Sequence, residues 1–259
     1  MNDLDWEELY PRIHLYRNLI KDPDALVEIL KQSEFEPGSS KVFTEWMQWS
    51  IFGTYLNQTP LPEYLMSSVP PEERDEKFYS HYEHAENIMN AFHTSTDHFL
   101  SIYGEKKEDN WIIMGPSYSR YFHDNNPHSA ENVMMHHTDF VRIEEDMPGN
   151  KFVLTCTMYL NDDYRGGGLD FIVNNHQFTY KPKAGDVLVF PSSHPHLLSE
   201  GNMYLHAVQR VQGKDKYLIR CFYQVPYGGS EEWLSNQEKY GKEVWAEMER
   251  KRIEEGRRY

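Results

Sequence analysis

The spacing of hydrophobic positions changes once along the chain, near residue 110. Before that point, in two segments that follow Asp22-Pro23 and Pro70-Pro71, apolar residues recur every three or four positions, which is typical of amphipathic helices, whereas Pro37 to Pro71 is irregular. One helix is predicted after Asp22-Pro23, a capping residue followed by a proline suited to the first helical position. A longer helix is predicted from Pro70-Pro71 to Gly104, a residue suited to a helix C-terminus. Residues 1–110 are therefore predicted to be a mainly helical N-terminal part.

From Trp111 onward the apolar residues come in short runs rich in β-branched and aromatic side chains, separated by turn residues such as Asn174-Asn175. The runs are WIIM, SRYF, VMMHHTDF, FVLTCTMYL, LDFIV, QFTY, DVLVF, MYLHAVQRV and KYLIRCFYQV. Consecutive short strands with no helix between them predict a sandwich or barrel, and a jelly roll fits best. We expect an α+β fold, mainly β, with a jelly-roll core over residues 111–227 and the N-terminal helices packed on it.

Two segments leave alternatives open. Residues 228–259 are predicted to form a C-terminal helix whose stripe of Trp233, Tyr240, Val244 and Met248 packs on the sheet or on the partner in a homodimer. The segment from Trp46 to Tyr55 is crowded with aromatics and is either core or a lid beside a site, core being favoured. No repeat or low-complexity linker interrupts the chain, so residues 1–259 are predicted to be a single domain.

Composition narrows the class of partner. The formal net charge of −15 disfavours nucleic acid, and the one basic run, 249–258, alternates with glutamates like a solvated helix face. The longest apolar stretch, around Phe152 to Leu160, is too short to span a bilayer. Cys156 and Cys221 lie in predicted strands, so buried free thiols are expected rather than a disulfide. With an acidic N-terminus that lacks an apolar segment, these features predict a cytoplasmic location and no membrane partner.

Candidate chemistry lies in the run MMHHTDF. His137 and Asp139 stand two residues apart on a predicted strand, so their side chains point to the same face. An imidazole and a carboxylate make up two of the three ligands that hold Fe(II) in a two-histidine, one-carboxylate site. His206, 67 residues after Asp139, is the best candidate for the third ligand. Alone, the pair is weak evidence, because an exposed histidine and an aspartate capping a turn explain it equally well.

Other histidines lie close to these positions. His136 should face the opposite side of the strand and miss the metal. His194 and His196 lie in the loop before His206, where a histidine is usually solvated.

The blocks that follow His137 come in a fixed order. They are TCTMYLND, GGGLDF, KPKAGDVLVFPS, SEGNMYLHAV with His206, and Lys216 ten residues after that histidine. This order resembles the Fe(II)- and 2-oxoglutarate-dependent dioxygenases, and among them the prolyl 4-hydroxylase-like branch, over roughly Tyr118 to Tyr223. Any one block is weak evidence, but five in order at compatible spacing are specific.

The resemblance implies a double-stranded β-helix in which His137, Asp139 and His206 hold Fe(II). 2-Oxoglutarate would chelate the metal, and L-ascorbate is an expected cofactor. Met134 departs from the family, which often has a tyrosine three residues before the first ligand. The presence of Asp139 argues against the halogenase variant, which has a small residue there.

The resemblance also implies an anchor for the distal carboxylate of 2-oxoglutarate. That charge needs a buried cation, and Lys216 supplies one by position. Tyr159 matches the family's tyrosine in the YLND block and could add a hydroxyl donor. Arg220, four residues after Lys216 on the same strand face, is the alternative anchor. The alternative interpretations are that Lys216 is an ordinary lysine at a strand edge and that Tyr159 is an ordinary core residue.

Three functions follow from these residues. The first is hydroxylation of prolyl residues in a peptide or protein, with release of succinate and CO2. The second is the same chemistry on a free amino acid, another side chain or another small molecule. The third is a cupin-like jelly roll that binds metal without redox chemistry, and such a protein has no need for a cation at Lys216.

Overall fold

The computed structural model describes residues 4–31, 36–37, 46–49, 70–74, 76–108, 111–123, 134–139, 141–144, 147–192 and 204–256. The helices in these ranges are α1 (Pro23–Lys31), α2 (Glu76–Ile102), α3 (Glu231–Tyr240) and α4 (Lys242–Gly256). The first eight strands are β1 (Trp6–Tyr10), β2 (Ile13–Tyr16), β3 (Glu36–Pro37), β4 (Trp46–Trp49), β5 (Ile112–Tyr121), β6 (Met134–His137), β7 (Val141–Glu144) and β8 (Met147–Tyr159). The others are β9 (Arg165–Gly166), β10 (Leu169–Val173), β11 (His176–Tyr180), β12 (Val187–Pro191), β13 (Leu205–Val208), β14 (Val211–Gln212) and β15 (Lys216–Pro226).

Two antiparallel sheets form the centre of the molecule. The larger has the order β1-β2-β12-β8-β15-β5-β4-β3, with β7 paired to β8, and the smaller has the order β11-β10-β13-β6. Phe171 of the smaller sheet packs edge-on against Phe190 of the larger one, with ring centroids 5.2 Å apart. The expected class, α+β and mainly β, is confirmed.

Each central strand of the larger sheet has two differently packed faces. On β8, Cys156 and Met158 join the core under the helices, whereas Tyr159 joins the core between the sheets. On β15, Ile219 packs on the helix side and Leu218 between the sheets. This is the alternation of a strand buried on both faces, and it explains the continuous apolar runs in the sequence.

The helices cover one face of the larger sheet. Asp22 caps α1 as predicted, its Oδ1 accepting from the backbone N–H of Ala25 at 3.0 Å. Helix α2 buries Ile88, Phe92 and Phe99 against the sheet. It ends at Ile102, and Gly104 closes its C-terminus as predicted: that residue has φ +72°, and the next residue's N–H reaches the carbonyl of Leu100 at 2.9 Å. Residues 71–73 form a 3-10 turn, so α2 proper begins at Glu76 rather than at the two prolines.

The N-terminal part contributes strands as well as helices. Strand β2 pairs with β12 and so extends the larger sheet, and β1 pairs with β2 at its edge. The charges in WEELY hide β1 from a search for apolar runs. The segment from Trp46 to Tyr55 supplies β4, which pairs with β5. The rest of that segment lies outside the described residues.

Three further predictions need correction. WIIM and SRYF form one strand, β5, with a bulge at Gly115-Pro116, where proline lacks the N–H that the ladder needs. MYLHAVQRV is split into β13 and β14. The C-terminal segment is two helices separated at Gly241.

The predicted C-terminal stripe does not share one buried face. Trp233 is buried and packs edge-on against Trp245, with ring centroids 5.8 Å apart. Tyr240, Val244 and Met248 are 39%, 55% and 43% exposed. Among the described residues, these three side chains are therefore not buried against the sheet, and the homodimer stays a prediction.

Cys156 and Cys221 are cross-strand neighbours on β8 and β15, and both are buried and free, as predicted. Within the described ranges, α-helices long and apolar enough to cross a bilayer are absent.

Candidate metal centre

The smaller sheet brings the predicted ligands together. His137 ends β6, Asp139 follows two residues later, and His206 lies in β13, directly opposite His137 in the antiparallel pairing. Nε2 of His137 lies 3.5 Å from Oδ1 of Asp139, and Nε2 of His206 lies 3.4 Å from Oδ2. The three ligand atoms lie within 4.8 Å of one another. Two imidazole nitrogens and a carboxylate oxygen at this spacing fit one divalent ion held on a single face.

Neighbouring groups orient two of these side chains. Nδ1 of His206 lies 3.1 Å from the carbonyl of Tyr204 and must donate to it, which leaves the Nε2 lone pair facing Asp139. The hydroxyl of Thr155 donates to Oδ2 of Asp139 at 2.9 Å, and it lies 2.6 Å from the hydroxyl of Ser192. The carboxylate is thus held by a second layer of hydrogen bonds, as in known metal sites.

Electrostatics favour an ionised carboxylate. Burial opposes the charge on Asp139, but the nearby His206 and His137 outweigh it and hold its pKa well below the usual range. An ionised carboxylate is the form of aspartate that metal binding requires. The cluster found among the described residues does not include His136, whose buried Nε2 has no hydrogen-bond partner within those ranges. His194 and His196 lie outside the described residues.

A pocket opens beside the ligands, between the two sheets. Asp139 and His206 stand among its walls. Its other polar walls are Thr155, Thr157, Tyr121, Tyr159 and Arg220, and its apolar walls are Leu169, Phe190, Val208, Leu218 and Phe222. An apolar cleft with a few convergent polar groups is the usual form of a small-molecule site.

Lys216 is fully buried behind this pocket rather than in its wall. Its ammonium donates to the carbonyl of Gly167 at 2.6 Å. It also lies 5.0 to 5.8 Å from three tyrosine ring centroids, those of Tyr159, Tyr164 and Tyr121. Burial lowers the pKa of Lys216 to about 7. Over the ranges that the structure describes, no carboxylate forms an ion pair with it, so this buried cation lacks a counter-charge.

The structure places Arg220 in the pocket wall itself, across from Thr157 in the β8–β15 pairing. Tyr159 is buried and lines the same pocket. Both cations therefore belong to one face of β15 but lie at different depths.

The sequence analysis did not predict the hydroxyls of Thr155 and Ser192. Thr155 carries a usable signal, because it lies four residues before Tyr159 and so on the same strand face.

A comparison with protein families matches residues 118–224 to the model of the 2OG-Fe(II) oxygenase superfamily. A comparison with curated protein sequences found no match.

Among solved structures, the chain is similar to the viral collagen prolyl hydroxylase of Paramecium Bursaria Chlorella virus-1 in its 2OG complex. The identity is 16% and the TM-score 0.53, over 83% of this chain and 96% of that one. It is also similar to dioxygenase for auxin oxidation 1 from Arabidopsis thaliana, with 12% identity and a TM-score of 0.52 over 84% of each chain. At these identities the likeness concerns the fold alone.

Proposed function

We propose, from the match of residues 118–224 to the model of the 2OG-Fe(II) oxygenase superfamily, that the protein is an Fe(II)- and 2-oxoglutarate-dependent dioxygenase. The observation that supports this most directly is the cluster of His137, Asp139 and His206 at the edge of a pocket that also holds cationic and hydroxyl groups. In this proposal the three side chains hold Fe(II). When bound, Fe(II) and 2-oxoglutarate would activate dioxygen, the oxidant: one oxygen atom would enter succinate as CO2 is released, and the other would hydroxylate the substrate.

The chain's own residues prepare this site in four ways. Thr155 and Ser192 fix the Asp139 carboxylate so that its oxygens face the two imidazoles. Tyr159 offers a hydroxyl, and Lys216 a buried ammonium, to the distal carboxylate of 2-oxoglutarate. The apolar pocket walls exclude water, which strengthens each charged contact.

We propose a prolyl residue in a peptide or protein as the substrate, hydroxylated at C4. The sequence around His206 and Lys216 resembles the prolyl 4-hydroxylase-like branch, and the fold is shared with a collagen prolyl hydroxylase. A small molecule or a free amino acid is the alternative, since a dioxygenase for auxin oxidation shares the fold equally well. A cupin-like role without redox chemistry is disfavoured by Lys216, because a buried cation behind the pocket has no purpose there.

Two assays test the proposal in order. The first measures succinate formed from 2-oxoglutarate with added Fe(II) and L-ascorbate, without substrate, and slow uncoupled turnover is expected. No succinate under any condition would reject the oxygenase. The second incubates proline-containing peptides and free amino acids with the same components and reads the products by mass spectrometry. A gain of one oxygen on proline supports the peptide substrate, and a gain only on free amino acids or other side chains rejects it.

A further inference from the structure

A cluster of charged side chains surrounds Asp215, the residue before Lys216. Oδ2 of Asp215 accepts hydrogen bonds from Nε and Nη2 of Arg120 at 2.8 and 2.5 Å. Oδ1 accepts from the backbone N–H of His123 at 2.9 Å and lies 2.6 Å from its Nδ1. Burial opposes the charge, but His123 and Arg120 outweigh it and lower the pKa of Asp215. The carboxylate is therefore ionised, and Nδ1 of His123 donates to it.

The backbone on both sides of Lys216 is held as well. The side-chain amide of Asn161 donates to the carbonyl of Asp215 at 2.8 Å, and its oxygen accepts from the N–H of Tyr217 at 2.8 Å. The guanidinium of Arg120 also lies over the ring of Tyr217, with its Cζ 5.6 Å from the centroid. Residues 215–217 are thus tied to β5 on one side and to the turn after β8 on the other.

The Asp215 contacts adjoin the pocket where β5 pairs with β15. In the β5–β15 ladder Lys216 stands opposite Tyr121, and Tyr217 stands opposite Arg120. Because successive side chains alternate, Tyr121 enters the core between the sheets, whereas Tyr217 enters the core under the helices. The Asp215 contacts therefore hold the residue just before β15 to Arg120 and His123, which lie on either side of Tyr121.

We propose that Asp215 is a positioning residue for the 2-oxoglutarate pocket: by joining β5 to β15 it sets where the Lys216 ammonium meets the distal carboxylate. The inference rests on the proposed function, in which Lys216 binds that carboxylate. The effect is one of geometry, since burial is the cause of the lowered pKa of Lys216. A charge-assisted contact depends steeply on distance and angle, so a small displacement of the strand start weakens it.

The test is Asp215→Asn, which keeps the side chain's size but removes its charge and one acceptor. Binding of 2-oxoglutarate is measured by calorimetry on the protein loaded with Mn(II), which cannot turn over. We expect the Kd for 2-oxoglutarate to rise about tenfold, while the Kd for Mn(II) stays within about twofold. In turnover with Fe(II), KM for 2-oxoglutarate should rise and kcat should stay within about twofold, which separates positioning from general loosening.

The matched control is Asp170→Asn. Asp170 is also a partly buried carboxylate that connects neighbouring strands, accepting from Gln209 at 2.9 and 3.1 Å and from Thr179, but it lies in the smaller sheet. It should leave the Kd for 2-oxoglutarate unchanged. An equal rise in both variants, or an equal loss of Mn(II) and 2-oxoglutarate binding in Asp215→Asn, would overturn the inference.

Two further variants keep the inference testable. If Asp215→Asn fails to fold, Arg120→Lys keeps the charge without the two-pronged contact, and a rise of about threefold in the same Kd is expected. An unchanged Kd there overturns the inference. Lys216→Ala distinguishes failure of the proposed anchor from failure of the positioning role. If this variant binds 2-oxoglutarate as the wild type does, the proposed anchor fails. If it loses binding while Asp215→Asn does not, only the positioning role fails.

Discussion

At the scale of single residues, the charge state of Lys216 affects the binding of 2-oxoglutarate in the proposed pocket. Its pKa is lowered to about 7 by burial, so the free protein holds it protonated below pH 7 and neutral above. A bound carboxylate favours the protonated form and raises this pKa. We therefore expect the Kd for 2-oxoglutarate to be flat below about pH 6 and to rise up to about tenfold per pH unit above pH 7.

Calorimetry with Mn(II)-loaded protein between pH 6 and 9 measures this dependence. The control is Lys216→Arg, whose guanidinium stays charged over the whole range and should give a flat profile. A flat profile in the wild type would show that the cation does not titrate.

The two cations of β15 should differ in their effect on 2-oxoglutarate. We expect Lys216→Ala to raise the apparent KM for 2-oxoglutarate by roughly ten- to a hundredfold, as loss of a charge-assisted contact worth about 1.5–3 kcal/mol implies. Arg220→Ala should raise it far less. Arg220 lines the pocket, whereas Lys216 lies behind it. If Arg220→Ala raised KM more than Lys216→Ala did in steady-state kinetics, Arg220 would be the anchor.

Removal of any one of the three metal-cluster side chains is expected to abolish activity. His137→Ala, Asp139→Ala and His206→Ala should each abolish Fe(II)-dependent turnover, because a facial site with two ligands left binds the ion poorly. His136→Ala is the matched control, since it removes the neighbouring imidazole that lies outside the cluster. His194→Ala and His196→Ala should also leave most of the activity. Turnover that survives in His206→Ala but is lost in His196→Ala would move the third ligand into the loop.

The residues that sequence reasoning found and missed differ in what places them. His137 and Asp139 were found because their two-residue spacing suggested one face of a strand, although β6 ends at His137 and Asp139 lies just beyond it. His206 was found only from the order of motifs, since its pairing with His137 depends on strand register. Thr155 and Asp215 were missed because their partners come from distant strands, and no local pattern shows which strands pair.

Among the described glycines, Gly166, where β9 passes into the following turn, has the least room for a side chain. Gly166 has φ +65°, and a Cβ placed on it would lie 2.2 Å from the carbonyl oxygen of Arg210. Gly166→Ala should therefore lower the free energy of unfolding by at least about 2 kcal/mol, from left-handed backbone strain of about 1–2 kcal/mol plus the clash. Urea unfolding followed by circular dichroism measures the change.

Gly185→Ala is the control for this turn. Gly185 also has a positive φ, +86°, but a Cβ there meets no described atom within 4 Å. It should lose about 1–2 kcal/mol from strain alone. Equal losses in the two variants would mean that the turn after β9 relaxes and that the close approach to Arg210 costs nothing.

Helices and strands were predicted well where a single sequence pattern determines them and poorly where two sequence patterns conflict. Helix α2 is fixed by a long periodic stripe and a glycine terminus, and both agree with the structure. Strand β1 was missed because three of its five residues are exposed and two are acidic. The C-terminal segment reads as one helix by its periodicity, and only Gly241 marks the break.

The whole molecule carries a formal net charge of −15, which acts on any charged substrate before contact. We expect peptides with basic or neutral residues flanking proline to have a lower KM than otherwise identical acidic peptides. The difference should be largest near an ionic strength of about 0.01 M, where the Debye length is about 30 Å, and should shrink at about 0.15 M, where it is about 8 Å. An acidic peptide with the lowest KM at low salt would contradict a role for the overall charge.

The architecture followed from the sequence because alternation, turn residues and the change near residue 110 all agree on a β core covered by helices. The sheet order did not follow, since β2 and β12 pair across more than 170 residues of chain. Such long-range pairings are decided by packing between faces that are all apolar, and apolar faces look alike in a sequence.

Strand β15 has a consequence for how the gene can change. Lys216, Leu218 and Arg220 face the space between the sheets, and the residues between them face the helices. Insertion or deletion of one codon within the strand would turn every later side chain to the opposite face, placing a cation in the core and core residues in the pocket. Inherited length changes inside β15 should therefore occur in pairs of codons or not at all, whereas the Asn174-Asn175 turn can vary in length.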